Sequence, residues 1–250
     1  MTYASVNGLE LYYEIHGTGE PLVLLHGGLH TFDLSFGAML PELAASHQVI
    51  GVELQGHGRT ADIDRELSIG QFADDVAALL KHLGVARADV MGFSLGALVA
   101  LELGVRHQDV VGRLVLAAAH ARPDGYHTDI TDPSAWATST RMPTADDFAE
   151  MAAEYARVAP RPKDFQPFQQ KLSAMVASSK GWTDDELRSV AAPTLLVIGD
   201  HDFVRIEHAA QMLELIPTAQ LGVVPGTTHA GLLRRADVLL PMVAAFLSRS

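Results

Sequence analysis

Apolar and polar positions along the chain follow two patterns: short continuous apolar runs, and longer stretches with one apolar helical face. The runs predict strands buried on both faces of a parallel sheet, and the longer stretches predict helices that pack on it. The apolar runs at residues 2–6 and 9–15 are joined by Asn7-Gly8, which favours a β-hairpin. Further strands are predicted at residues 21–25, 47–52, 88–91, 113–116, 194–198 and 220–224, and helices at residues 36–45, 69–83, 95–106, 206–215 and 237–248.

The pattern changes between residues 121 and 190, a segment richer in proline, threonine, aspartate and methionine. This segment has helical patterns near residues 144–158 and 164–179 but no apolar run of the strand type. We therefore predict a single domain over residues 1–250, with residues 121–190 inserted as a helical lid. The predicted fold class is α/β, a mostly parallel twisted sheet with helices on both faces and an N-terminal β-hairpin. Because the insertion follows the C-terminal end of a strand, where open α/β sheets bind ligands, we expect the lid to cover a pocket.

Composition and charge exclude several classes of function. Hydrophobic residues make up 48% and charged residues 19% of the chain, an ordinary balance for a globular protein. The net charge of −12 repels phosphate backbones and anionic membranes, so we expect neither a nucleic-acid nor a membrane partner. The chain has no cysteine, which excludes disulfides, thiol catalysis and thiolate metal sites. Its N-terminal segment shows no signal-peptide pattern, which together with the lack of cysteine favours a cytoplasmic protein.

The most specific chemical signal is Gly92-Phe93-Ser94-Leu95-Gly96, which lies between a predicted strand and a predicted helix. This is the G-x-S-x-G pattern in a strand–turn–helix context, where a tight turn exposes the serine hydroxyl at the edge of a sheet. Glycines on either side avoid collisions across the turn, and a strained serine backbone is typical of such a site. We therefore expect Ser94 to be a nucleophile rather than only a helix cap.

A serine nucleophile needs a base, and histidine can take and return a proton near neutral pH. His229 follows the last predicted strand after a short turn-rich segment, so it can reach the sheet edge and is the expected base. His26 precedes two glycines and is expected to be structural, whereas His120 ends a strand on the lid side and is expected to line the pocket. The remaining candidates are expected in polar loops, on helix faces or in solvent: His30, His57, His107, His127, His201 and His208.

The base must be oriented by an acid that accepts its hydrogen bond and stabilises its charged form. The turn after residues 194–198 offers two aspartates, Asp200 and Asp202. We expect Asp202 to take this role and Asp200 to cap or brace the loop, although a shared role for Asp200 stays open. The chain order Ser94, Asp202, His229 fits convergence from successive strand ends.

Hydrogen-bond donors for a developing oxyanion are expected in two places. The backbone N–H of Leu95 is free at a helix N-terminus beside the nucleophile. A second donor is expected from the loop at residues 26–29, with the N–H of Gly28 as first choice and that of Leu29 as second. Leu29 is also expected to line the pocket. Each such donor typically contributes about 10²–10³ in rate, so we expect this loop to be rigid.

Together these residues resemble the α/β-hydrolase fold family, and the resemblance spans nearly the whole chain. Helical lids are common in that family at the place of residues 121–190. The resemblance is carried by residues 26–28 (HGG), residues 53–59 (ELQGHGR), the turn at Ser94, residues 199–202 (GDHD) and His229.

The resemblance implies particular roles for several residues. It places the acid of the triad at Asp202 and the oxyanion donors at Gly28 and Leu95. Two positions depart from the family pattern: Glu53 stands where aspartate is more usual, and threonines at residues 227–228 stand where a glycine-rich turn is common. Neither departure removes a chemical group from the triad.

Three functions are compatible with this pattern. The complete set of groups favours a carboxylesterase-like serine hydrolase that cleaves a small or medium carboxylic ester or lactone through an acyl-enzyme on Ser94. A second hypothesis has the same triad cleave a carbon–carbon bond or act as a lyase, and a third is a ligand-binding protein on a hydrolase scaffold. Under the second hypothesis, polar or aromatic substrates would be bound by lid residues His120, Arg122, His127, Trp136 and Arg141.

We expect no cofactor and no metal site. No two histidines have a helical metal-binding spacing with a nearby acid, and Asp74-Asp75 and Asp146-Asp147 fit solvated helix starts. The expected partner is a small-molecule ester or lactone substrate, and no oligomeric state follows from the sequence.

Overall fold

An eight-stranded sheet forms the centre of the computed structural model, which describes residues 2–248. Its strands are β1 (Thr2–Val6), β2 (Leu9–His16), β3 (Glu20–Leu25), β4 (His47–Val52), β5 (Ala88–Phe93), β6 (Val111–Ala117), β7 (Thr194–His201) and β8 (Ala219–Thr228). Their spatial order is β1-β2-β4-β3-β5-β6-β7-β8. The pairs β1–β2 and β2–β4 are antiparallel and all the others are parallel, which confirms the predicted α/β fold class.

Helices cover both faces of this sheet and also form most of residues 121–190. Residues 2–248 contain ten α-helices: α1 (Phe32–Phe36), α2 (Leu40–Ala44), α3 (Ile69–His82), α4 (Leu95–Arg106), α5 (Thr128–Thr131), α6 (Ala145–Val158), α7 (Phe165–Ser178), α8 (Asp184–Ser189), α9 (Ile206–Leu215) and α10 (Ala236–Leu247). Short 3₁₀ turns lie at Gln108–Val110, Pro123–Gly125, Pro133–Ala135, Pro162–Asp164 and Leu232–Arg234. No helix among the described residues is long and apolar enough to cross a lipid bilayer.

Strand β3 shows why the sheet lies between two helical layers. Leu22 and Leu24 belong to the hydrophobic core on the side of α1, α2 and α10. Val23 and Leu25 belong to the core on the opposite side, with α3, α4, α8 and α9. A strand that is apolar on both faces needs a helical layer on each side, so the parallel strands occupy the centre of the fold.

Two elements differ most from their predicted boundaries. The helix predicted at residues 36–45 contains only the last residue of α1, which is capped by Gly37, and the separate short helix α2, which has Pro41 in its first turn, a favoured position for proline. The last strand runs to Thr228 rather than ending at residue 224. Strand β8 is at the edge of the sheet, where Pro225 is tolerated because its missing N–H is not needed for pairing.

The segment at residues 121–190 places α6 and α7 over the C-terminal ends of the parallel strands. Helix α6 begins with a capping box, in which the hydroxyl of Thr144 accepts from the N–H of Asp147 and the carboxylate of Asp147 accepts from the N–H of Thr144. On α7, Phe168 and Leu172 are buried in the same core as α3 and α4.

Candidate active site

Ser94 lies in the sharp turn between β5 and α4, with a backbone conformation of φ 51° and ψ −115°. A non-glycine residue pays roughly 1–3 kcal/mol for such a conformation, which persists only where the surrounding structure enforces it. The N–H of Ser94 donates to the carbonyl oxygen of Ala117, at the end of the neighbouring strand β6, at 2.8 Å. The strained turn is therefore anchored to the sheet.

The glycines on either side of Ser94 are required by close packing. A Cβ atom on Gly92 would lie 2.2 Å from the carbonyl oxygen of Gly96, and a Cβ on Gly96 would lie 2.0 Å from that of Leu25. Both distances are too short for any side chain. The G-x-S-x-G pattern thus reflects contacts that bring α4 against β3 and expose the serine hydroxyl.

Ser94, His229 and Asp202 are joined by two hydrogen bonds. His229 Nδ1 lies 2.8 Å from Asp202 Oδ1, and His229 Nε2 lies 2.9 Å from Ser94 Oγ. A carboxylate can only accept, so Nδ1–H is the donor to Asp202, and Nε2 is left to accept from the serine hydroxyl. The structure brings the three residues together in the arrangement needed to activate a serine.

Asp202 is held as a carboxylate at the end of β7. Its side chain is fully buried, and burial alone would raise its pKa. The neighbouring His229 and the backbone N–H of Val204, which donates to Oδ1 at 3.2 Å, outweigh burial and place the pKa of Asp202 below its ordinary value. A negative charge therefore faces the imidazole across the neutral pH range.

Asp200, the other aspartate of the turn, is directed elsewhere. Its Oδ1 accepts from the N–H of Thr227 at 3.0 Å, and backbone N–H groups at Gly226 and Thr227 lower its pKa. This bond ties the end of β7 to the end of β8, the strand that precedes His229. The expected bracing role of Asp200 matches this placement.

The backbone N–H groups of Gly28, Leu29 and Leu95, near the serine, take part in no hydrogen bond within residues 2–248. A Cβ built on Gly28 would lie 3.9 Å from the Cβ of Leu95, so the two segments are adjacent. Leu29 has a φ of 62°, a left-handed conformation that is costly for leucine. The loop is thus held in a strained form with unpaired donors beside Ser94.

Histidine side chains on this loop anchor it to neighbouring segments. His26, fully buried, bonds to the carbonyl of Gly27 through Nδ1, and its Nε2 accepts from the N–H of Leu54 at 3.0 Å. His30 Nδ1 lies 3.0 Å from Ser35 Oγ, which also accepts from the N–H of Gly27. The expectation that His30 is solvated was wrong, because the turn after Leu29 folds it back into the site.

A cavity of about 180 Å³ opens at Ser94 and His229. Its walls come from the body and from α6 and α7, and Leu29 is among its lining residues, as expected. Among the described residues that line it there is no aspartate, glutamate, lysine or arginine. His30 also lines it, and burial, followed by the neighbouring His26 and His229, lowers the pKa of His30 to about 3, so it is uncharged at neutral pH.

His120 does not line this cavity, contrary to expectation. Its ring packs against that of Tyr126, with centroids 4.2 Å apart, and Tyr126 takes the place at the cavity wall. Burial lowers the pKa of His120 to about 4, with a smaller effect from the nearby His208. Tyr126 was missed because it lies in a segment without a regular apolar pattern.

The lid residues considered for binding polar substrates also lie outside the lining. Arg122 pairs with Asp184 at 2.7 Å and Arg141 pairs with Asp129 at 3.2 Å, both within residues 121–190. Neither they nor His127 and Trp136 line the cavity.

Two histidines expected in polar loops or on helix faces are buried instead. His57 is 1% exposed and packs against His26 and against Phe168 of α7, with centroid distances of 4.6 and 4.7 Å. His208 is fully buried, and its Nε2 accepts from the N–H of Ala121 at 3.0 Å, where the lid segment begins. Both histidines therefore serve as contacts between the body and the lid.

Glu53, one of the departures from the family pattern, is a buried carboxylate behind the same loop. It accepts from the N–H of Phe32 at 3.2 Å and from the guanidinium of Arg59 at 2.8 Å. Burial raises the pKa of Glu53 to about 7, against the opposing effect of Arg59. Its contacts connect β4 to the start of α1 rather than to the triad.

A larger cleft of about 890 Å³ lies at the opposite edge of the sheet, at the N-terminal ends of the parallel strands. Two of its charged groups are engaged with their neighbours: Asp89 accepts from the N–H of Arg113, and Arg87 donates to the carbonyl of Val111. Ser46 Oγ lies 2.9 Å from His47 Nδ1 in this cleft, but among the described residues no carboxylate is hydrogen-bonded to that imidazole. Residues 2–248 contain no cluster of three potential metal ligands.

Comparisons with known proteins agree with the fold. The sequence profile of the alpha/beta hydrolase family matches residues 22–240. A protein of Azorhizobium caulinodans named as a carbamate hydrolase, RutD, is 27% identical over 98% of each chain. Among solved structures, the enol-lactonase from Burkholderia xenovorans LB400 has a TM-score of 0.80 at 23% identity, covering 99% of this chain and all of that one. The meta-cleavage product hydrolase from Pseudomonas fluorescens IP01 has a TM-score of 0.77 at 20% identity, covering 96% and 94%. At these identities the structural likenesses show the fold.

Proposed function

The chain belongs to the alpha/beta hydrolase family, and on that basis we propose that it is a serine hydrolase of short, uncharged carboxylic esters or lactones. One observation carries the proposal: hydrogen bonds link Asp202 through His229 to Ser94, whose hydroxyl opens into an uncharged cavity. The unpaired N–H groups of Gly28 and Leu95 lie beside it.

The geometry supports the following sequence of steps. Ser94 Oγ attacks the carbonyl carbon of the ester while His229 Nε2 takes its proton, and the N–H groups of Leu95 and Gly28 hold the oxyanion. As the carbon–oxygen bond breaks, His229 gives the proton to the leaving alkoxide, and the acyl group remains on Ser94. Water, deprotonated by His229, then attacks the acyl carbon, releasing the acid and restoring the serine hydroxyl.

The cavity limits the substrate in size and charge. A volume of about 180 Å³ holds roughly six water-sized groups at ~30 Å³ each, which fits a short acyl chain or a small lactone ring. A carboxylate placed there would lose its hydration with no cation among the described lining residues to replace it. We therefore assign a neutral substrate.

The same point weighs against the second hypothesis from the sequence. Carbon–carbon cleavage of a polar substrate was expected to use lid residues such as Arg122 and Arg141, which pair with carboxylates away from the cavity. The similar proteins include one named as a carbamate hydrolase and one named as a meta-cleavage product hydrolase, so carbamates and diketones belong in the test as competing substrates.

The first experiment is labelling with a fluorophosphonate probe and mapping of the adduct. We expect a single adduct on Ser94 and none in Ser94→Ala. Ser46→Ala is the matched control, because Ser46 Oγ also lies 2.9 Å from a histidine ring, that of His47, but in the opposite cleft. An adduct on another residue of the folded protein would refute the assignment.

The second experiment is an activity screen of acyl esters of graded length, lactones, carbamates and a β-diketone. We expect turnover of short neutral esters or lactones, a decline for long acyl chains, and loss of activity in Ser94→Ala. Preferential turnover of the diketone, or of a carboxylate-bearing ester over its neutral counterpart, would contradict the proposed substrate class. Binding without any product would favour the ligand-binding hypothesis.

A further inference from the structure

Two phenyl rings pack against the imidazole of His229. The ring of Phe203 stacks on it with centroids 3.9 Å apart and an interplanar angle of 7°. On another side the ring of Phe93 lies at 5.2 Å with an angle of 37°. Both phenylalanines line the catalytic cavity. We refer to Phe93 and Phe203 as the aromatic clamp.

Each ring of the aromatic clamp is the sequence neighbour of a triad residue. Phe93 is the last residue of β5 and directly precedes Ser94, and Phe203 directly follows Asp202. The strand ends that present the serine and the aspartate therefore also present the two phenyl rings that pack against the histidine. His229 itself follows β8 and has no such neighbour to fix its ring.

Phe203 is held in place by the first residues of the lid segment. Its carbonyl oxygen accepts from the N–H of His127 at 2.9 Å, and the N–H of Arg205 donates to Gly125 at 2.9 Å. The ring of Tyr126 meets that of Phe203 edge to face, at 6.5 Å and 78°. Two backbone hydrogen bonds thus tie the segment that carries the stacked ring to residues 125–127.

With its two hydrogen bonds alone, the imidazole ring of His229 keeps one rotational degree of freedom. The bonds at Nδ1 and Nε2 fix the line between Asp202 and Ser94, but the ring can still tilt about that line. A parallel ring at 3.9 Å removes the tilt. When His229 takes the serine proton it becomes an imidazolium, and a cation over the face of an aromatic ring is stabilised by the ring's quadrupole.

We propose that Phe203, with Phe93, is a positioning residue for the general base: it fixes the imidazole plane and stabilises the protonated form that arises during acyl transfer. The proposal rests on the proposed function in one respect, that His229 acts as the base. Phe203 acts through His229 and is not itself expected to contact the reacting atoms.

The test compares Phe203→Leu with Phe203→Tyr on a short neutral ester. Leucine keeps the apolar wall without a π face, so we expect kcat to fall about tenfold while KM changes less than about twofold. Tyrosine keeps the stacked ring and should restore most of kcat. Phe165→Leu is the control, because its ring packs on Tyr155 within the lid and does not line the cavity; it should match the wild type.

An NMR measurement gives a readout that needs no substrate. A stacked phenyl ring shifts the ring-proton resonances of His229 upfield, and Phe203→Leu should relieve that shift while Phe203→Tyr keeps it. If the wild type hydrolyses nothing, the proposed function fails, and this spectrum still decides whether the clamp exists. If Phe203→Leu leaves the resonances unaffected, or raises KM at unchanged kcat, Phe203 only lines the pocket and does not position His229.

Discussion

Residues 121–190, the segment expected to form a lid, and the remainder of the described fold, which we call the body, are stabilised by different contacts. At the catalytic edge of the body, Ser94 and Asp202 extend from strands buried on both faces. Residues 121–190 contact the body through a few buried side chains and through ion pairs of partly exposed groups. These pairs join Lys171 to Asp62 and Arg234 to Asp147. We therefore expect the chemistry to depend on the body and the choice of substrate to depend on residues 121–190.

The strongest test of this division is Asp202→Asn. The amide of asparagine is neutral and can donate from its NH₂ to Nδ1, which favours the wrong imidazole tautomer. We therefore expect kcat to fall about 10⁴-fold with the fold intact. The measurement is steady-state hydrolysis of a short ester together with circular dichroism.

Asp200→Asn is the matched control, because it is the same substitution two residues earlier in the chain. Asp200 bonds to Thr227 instead of His229. We expect it to retain kcat within about tenfold, since it braces a loop and touches no triad residue. Equal losses in the two variants would show that the acid has been wrongly assigned between them.

The body could be predicted from the sequence because its pattern has few physical solutions. Continuous apolar runs such as residues 21–25 are stable only inside a parallel sheet, and polar residues that follow such runs meet at one edge of it. Ser94, Asp202 and His229 each follow a strand, so their convergence could be expected. Whether they act as a triad stays a prediction until the tests above are made.

The pattern also predicted α6 and α7, but the inner side of the site could not be predicted in the same way. His30 and Tyr126 reach the cavity through irregular backbone, which leaves no periodic signal. The aromatic clamp was missed because Phe93 and Phe203 look like ordinary apolar residues beside a motif. The prediction for His120 was wrong because a strand end determines where a residue lies along the sheet edge, but not which side chain lies between that residue and the cavity.

The second prediction concerns acid stability, which should be set by the body. Burial lowers the pKa values of His26 and His120 to about 4, and that of His30 to about 3. In the unfolded chain these histidines have a pKa near 6.5, so below that pH the unfolded state binds protons that the native state does not bind. Their contribution is complete above about pH 6.5 and should fall by roughly 2 kcal/mol each at pH 5.

Urea unfolding at about pH 7.5 and pH 5 measures this loss. His120→Phe removes one titrating group from behind Tyr126, so the difference between the two pH values should shrink by roughly 2 kcal/mol. His82→Gln, an exposed histidine near the end of α3, should leave the difference unchanged. A pH dependence equal in all three proteins would mean that His120 is not protected from protons.

The third prediction tests whether the lid selects the substrate. Leu172 of α7 lines the cavity and faces Gly28, so Leu172→Ala should enlarge the space for the acyl chain. We expect the ratio of kcat/KM for a hexanoyl ester to that for an acetyl ester to rise about tenfold, since each accommodated methylene is worth about 1–3 kcal/mol.

Leu187→Ala is its control within residues 121–190. Leu187 is fully buried on α8 but does not line the cavity, so its loss should lower stability and leave the chain-length ratio unchanged. An altered ratio in Leu187→Ala, or none in Leu172→Ala, would place substrate selection outside α7.

The smallest effect is expected at the ion pair that joins the lid to the segment after His229. Arg234 donates to Asp147 at 2.6 Å and to Glu150 at 3.4 Å, but its own side chain is 61% exposed. Such pairs contribute about 0.2–1 kcal/mol and are screened by salt, so Arg234→Ala should lower Tm by no more than a few degrees, and less at about 1 M salt. Arg188→Ala, whose partners Asp184 and Asp185 lie on its own helix, should show no change in substrate preference.

Because a loosely tied lid can open without disturbing the sheet, Arg234→Ala should also leave the rate of fluorophosphonate labelling at Ser94 equal or higher. A fall in that rate would mean that the ion pair holds the triad itself, and that body and lid are not separable in the way their contacts indicate.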